Sequence, residues 1–147
     1  MRKLLAAVSA AVLALAMTVP IASAAGAPSI TDIHITQVTL DQKTGELHIV
    51  GYAFCSNLEY SWLDAQGQVR QAIGRKTSIP GGVWGGVACV PNGPATLDLF
   101  STADWGTFGT GWASIQFQLG FNGCNEFGCF FNPINGIDWT VIKIVKK

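Results

Sequence analysis

Imidazole is scarce in this chain of 147 residues, with only His34 and His48 present, and both lie in segments patterned like strands. His48 follows a tight turn and reads as a partly exposed strand residue rather than a base. No G-x-S-x-G elbow, H-E-x-x-H pair or phosphate-cradling glycine loop occurs. A glycosidase needs two positioned carboxylates. Asp98, Asp104, Glu126 and Asp138 are available, but no spacing pairs any two of them, and they read as turn formers or solvated positions. Charge is also sparse and balanced, with nine basic and nine acidic residues. Apart from Lys143, Lys146 and Lys147 the cations are scattered, so the concentrated basic face that nucleic acid requires is missing. Beyond Ala24 no apolar run approaches the roughly 20 residues of a membrane helix. No segment there holds a 3.6-residue apolar period long enough for a helix. The sequence therefore points away from an enzyme, a metal or cofactor protein, a nucleic-acid binder and a membrane-spanning chain.

The N-terminus is informative. Met1-Arg2-Lys3 is a short positive start, Leu4 to Val19 is rich in Ala and Leu, Pro20 breaks the run, and Ala22-Ser23-Ala24 places small residues where a signal peptidase reads. Residues 1–24 are expected to be a signal peptide, leaving residues 25–147 as one secreted domain. Loss of Arg2 and Lys3 tips the balance slightly acidic. The first cysteine is Cys55, far from the cleavage point, so a lipoprotein anchor is not expected. Free secretion is favoured over attachment to the cell envelope through a partner.

The secreted part reads as β throughout. From Trp112 to Phe121, Ala113, Ile115, Phe117, Leu119 and Phe121 share one face, while Ser114, Gln116 and Gln118 point the other way. Leu47, Ile49, Gly51, Ala53 and Cys55 repeat this pattern. Their opposite face (His48, Val50, Tyr52, Phe54) is apolar enough to suggest a strand covered on both sides. Between Ile33 and Leu40 the phase slips, as a bulge or a switch of sheets would produce. Asp41 to Gly45 makes a short hairpin loop. Further strands are expected with Leu58, Tyr60 and Trp62 on one face, from Val69 to Ile73 after a turn at Gln66-Gly67, near Val87 to Val90, from Ala95 to Phe100, and from Ile137 to Val145. Pro80-Gly81-Gly82 and Gly85-Gly86 read as a link, and Pro91 to Pro94 as a tight turn. About seven or eight short strands at such spacing predict an antiparallel β-sandwich, with a small β-barrel as the alternative.

Four cysteines allow three pairings. Cys124 and Cys129 enclose four residues, a length that suits a bridge across a hairpin loop, and this leaves Cys55 to Cys89. Zinc would want closer thiolate pairs and a reducing compartment, so structural disulfides are expected.

Gly51-Tyr52-Ala53-Phe54-Cys55, then Cys89 with Asn92-Gly93, then Phe108-Gly109-Thr110-Gly111-Trp112-Ala113-Ser114-Ile115 carry a resemblance. In that order they resemble an uncharacterised family of small secreted bacterial domains with an immunoglobulin-like sandwich. The resemblance implies a fold and no activity. True immunoglobulin domains separate their core cysteines much farther than Cys55 and Cys89. The Cys124–Cys129 loop is similar to one in the neocarzinostatin-type antibiotic-carrying proteins, but their other bridge closes a short loop.

The aromatic residues are the candidate site. Trp84, Trp105, Phe108 and Trp112 fall in or beside glycine-rich segments read as loops, and Phe127, Phe130 and Phe131 surround the small cysteine loop. Loops on a rigid scaffold commonly bind ligands, whereas large rings more commonly close the ends of a core. Three readings follow: a non-catalytic binding or adhesion module for an extracellular ligand or envelope component, using Trp84, Trp105, Trp112 or Phe127; a structural envelope protein; and a secreted hydrolase.

Overall fold

A computed structural model describes residues 26–147 apart from Glu59 and Tyr60, so the expected signal peptide and the placement of Tyr60 lie outside the described residues. Seven strands, β1 (Ser29–Leu40), β2 (Leu47–Ser56), β3 (Ser61–Ala72), β4 (Ser78–Cys89), β5 (Gly93–Ala103), β6 (Gly111–Asn125) and β7 (Gly128–Lys146), form an all-β fold. They close into a barrel in the order β1-β2-β5-β4-β3-β6-β7. Every pairing is antiparallel except β1 with β7. The neighbours β3-β4-β5 are joined in sequence and β2 returns to lie beside β5, a Greek-key arrangement.

The expected sandwich is thus corrected to a barrel, and β4 is the cause. Its glycines read as a link, yet the strand pairs with β3 on one side and with β5 on the other, joining what would have been two sheets. Glycine is needed there for close approach. A Cβ on Gly81 would run into the Thr102 carbonyl and one on Gly86 into that of Leu63, while Gly85 has φ 108°. The turn expected at Gln66-Gly67 is likewise absent, because both residues continue β3.

Alternation places the core as expected along β2 and β6. Leu47, Ile49, Ala53 and Cys55 are buried, as are Ala113, Ile115, Phe117 and Leu119. Phe121 departs from its expected face and is 37% exposed, because the β6–β7 register shifts between Leu119 and Gly120. The outer face of β2 is not covered among the described residues: Tyr52 and Phe54 are exposed. The phase slip in β1 is resolved as two register shifts, between Thr31 and His34 and between Ile35 and Gln37. One pole is closed by Leu58 and the Cys55–Cys89 disulfide, the other by Phe108, all buried. Phe108 is core, whereas Trp105 of the same loop is exposed.

The seam between β1 and β7 is the least continuous part of the wall. Its ladder covers only Val38–Leu40 against Ile144–Lys146. Toward the other pole, the Asn135 amide donates to the Ile30 carbonyl at 2.5 Å. A shallow cleft of about 330 Å³, lined by Ile33, His34, Ile35, Ile137 and Val141 among others, lies between these two ties.

Candidate binding face

Outward positions along β3 are Trp62, Asp64, Gln66, Gln68 and Arg70, each two residues from the next and therefore on one face. Trp62 was expected on the same strand face as Leu58. Leu58 is buried, but Trp62 is 54% exposed. Its indole lies across Gly86 of the neighbouring strand, where a Cβ would come within 2.9 Å of Cε2 and Cζ2. The indole N–H donates to Asp64 Oδ1 at 2.9 Å, and the Asn122 amide donates to Asp64 Oδ2 at 2.8 Å. Both carboxylate oxygens are engaged, so the ring is held in one orientation with its outer side in solvent.

Trp84 stands next to this stripe. It faces Phe100 on β5, with ring centroids 4.8 Å apart and planes inclined by 22°. His48 on β2 stacks on the other side of Phe100 at 4.9 Å. Phe100 is therefore between two rings, and Trp84 itself is half exposed. The register that sets Asp64 against Gly86 and Gly67 against Val83 puts Gln66 opposite Trp84. On the other flank of β3, Gln66 pairs with Gln118 and Gln68 with Gln116 of β6. Four amides thus form a two-by-two array. A shallow depression of about 250 Å³ lies against it, lined by Gln66, Gln116, Gln118, Ile137 and Asp138 among others. At the end of the stripe the Arg70 guanidinium donates to Gln68 Oε1 at 3.1 Å and sits 4.7 Å from the Trp139 ring centroid.

The residues expected to form a site from sequence are dispersed. Trp84 and Trp112 are on strands, not in loops. Trp112 is exposed at the start of β6, with the Lys143 ammonium 5.9 Å from its ring. Trp105 belongs to the β5–β6 connection, and Phe127, 90% exposed, to the tip of the β6–β7 hairpin. Among the described residues no ring contact joins any two of Trp84, Trp105 and Trp112. Trp62, Gln66, Gln116 and Gln118 were not singled out as site residues, because only cross-strand register brings them beside Trp84.

His48 Nε2 lies 2.6 Å from Asp98 Oδ1, the pairing that a hydrolase reading would want. Both side chains stand on the convex outer surface, 38% and 55% exposed. Among the described residues no hydroxyl or thiol bonds the imidazole, and no group of three His, Cys, Asp or Glu side chains could hold a metal. The cysteines form two disulfides, Cys55–Cys89 and Cys124–Cys129. No helix among the described residues is long and apolar enough to cross a membrane. Comparison with protein-family models, with curated proteins and with solved structures gave no match.

Proposed function

We propose that this is a secreted, non-catalytic binding module whose ligand docks on the outer face of β4, β3 and β6. The observation that carries the reading is the fixed, exposed Trp62. Gly86 lies under the ring, Asp64 holds its indole N–H, and Asn122 holds Asp64. A large apolar ring locked in solvent loses little rotamer freedom when it meets a ligand, so more of the contact energy appears as affinity. Secretion is supported by the signal-like residues 1–24 and by the two disulfides.

The test is a mixed screen of glycans, peptides and small organic molecules against purified protein, repeated with Trp62→Ala and Trp84→Ala. Hits should be lost in both variants, with stability lowered by less than about 1 kcal/mol, the range for exposed sites. Hits that bind both variants as well as the parent protein place the ligand elsewhere and defeat the reading.

The His48–Asp98 pair favours a hydrolase as second reading. It requires turnover of a substrate that disappears in His48→Ala and in Asp98→Asn. Such turnover would overturn the non-catalytic assignment.

A further inference from the structure

Resting on that binding-face reading, we infer the ligand's chemical class: a linear, electrically neutral glycan chain lying along β3.

Shape gives the first argument. From Trp62 to Arg70 the stripe runs about 26 Å at the usual strand rise. It is open, with low residues beside it: Gly86 and Gly82 on β4, Gly120 and Ser114 on β6. Nothing lies within 4 Å of where a Cβ on Gly82 would stand. A track this long and shallow would leave most of a small molecule's surface in water, whereas enclosing pockets bury most of it. A polymer gains by repeating the same modest contact along the track.

Chemistry gives the second. Gln66, Gln116 and Gln118 have their amides unengaged by other side chains or by backbone among the described residues. An amide offers both donors and an acceptor without charge, which matches the hydroxyls of a sugar. Trp62 at one end, Trp84 beside the middle and Trp139 at the far end supply apolar ring surface for the C–H faces of pyranoses.

Charge gives the third. Asp64, Asp98 and Asp138 lie on or beside the face, and its one cation on β3, Arg70, is already engaged by Gln68 and Trp139. Phosphate, sulfate or uronate chains would meet carboxylates rather than cations. A peptide strand has no backbone to pair with, because β3 is hydrogen-bonded to neighbours on both sides.

The experiment is titration of the isotope-labelled protein with four probes: cellohexaose, mannohexaose, polygalacturonate and oligolysine. Backbone and indole signals are followed by NMR, alongside calorimetry. A neutral hexasaccharide should shift the Trp62 and Trp84 indole signals and the Gln66 and Gln118 amide side chains. Trp62→Ala and Gln66→Ala should each weaken binding about tenfold or more. Trp105→Ala and Phe127→Ala should leave it unchanged. Gln66→Ala serves if Trp62→Ala disturbs the fold, which the dispersion of the methyl signals reveals. Trp62-dependent binding of polygalacturonate or oligolysine alone overturns the neutral-glycan assignment while leaving the binding face in place. A neutral hexasaccharide that shifts only signals outside β3, β4 and β6 overturns both. If all four probes fail but a peptide or small organic hit from the mixed screen depends on Trp62, the glycan class alone is wrong, whereas a Trp62-dependent neutral glycan from that screen supports it.

Discussion

Gln71 and Gly109 hold each other by two hydrogen bonds, the Gln71 amide donating to the Gly109 carbonyl at 2.8 Å and the Gly109 N–H donating to Gln71 Oε1 at 2.7 Å. Gln71 is a buried polar residue near the end of β3, and Gly109 lies in the connection that carries Trp105 and Phe108. The pair gives that loop a backbone partner it would otherwise lack, and it seats Phe108 in the end of the barrel. Replacing Gln71 with Leu removes both bonds and gives the exposed Gly109 N–H and C=O over to solvent. The expected cost is about 1–3 kcal/mol, the net worth of two hydrogen bonds. Denaturant unfolding measures it, and hydrogen exchange at the Gly109 amide should accelerate. An unchanged exchange rate would show that the loop is held by Phe108 alone.

Along β6 the phase of burial makes a sharp contrast. Phe117 is almost wholly enclosed, while Gln116 faces outward beside Gln68. Phe117→Ala should cost about 3–5 kcal/mol, and Gln116→Ala within about 0.5 kcal/mol. Thermal and denaturant melts of the two variants check this, and similar losses at both positions would contradict the burial.

The two disulfides close loops of very different length, with separations of 34 residues for Cys55–Cys89 and 5 for Cys124–Cys129. The chain-entropy relation then gives about 4 kcal/mol for the first and about 2 kcal/mol for the second. Cys55 and Cys89 are also buried in the core, so removing them perturbs packing as well. Double alanine variants should rank in that order in denaturant midpoint. A larger loss at the hairpin tip would reverse the argument.

Asp41 heads the β1–β2 loop, and its carboxylate is held below the usual range by hydrogen bonds from the Lys43 and Thr44 backbone N–H groups. Its folded pKa is therefore lower than its unfolded value of about 3.9. The contribution is present above that unfolded value and is lost as pH falls through the folded one. An NMR titration should show the Asp41 carboxyl titrating below an Asp in the unfolded chain. The stability gap between the parent protein and Asp41→Ala should close as the solution becomes strongly acidic. A gap independent of pH would mean that the loop does not use the charge.

Regular alternation was legible in the sequence, and it places Ile115 and Phe117, or Leu47 and Ile49, in the core without further help. Local irregularity was not. Phe121 keeps the alternating pattern but lies beyond a register shift that only the pairing with β7 reveals. Gly81, Gly85 and Gly86 have the composition of a linker, although they serve close backbone approach inside a strand. That misreading separates β4 from its neighbours and turns a barrel into a sandwich. The same limit applies to the binding face. Exposed aromatics were anticipated and Trp84 is among them, but Trp62 lies 22 positions away in sequence and Gln118 34 positions away. Their proximity depends on strand order, which no short spacing encodes.

The parallel seam has a mechanical consequence. β1 and β7 run the same way, so Ser29 and Lys146 leave the barrel at opposite poles while Val38–Leu40 and Ile144–Lys146 lie side by side. Tension applied through the two ends of the chain would load these few hydrogen bonds together, in shear, instead of peeling them apart one at a time. For a module that grips a polymer while tethered by its own ends, the shortest ladder in the wall would be the one that bears the pull.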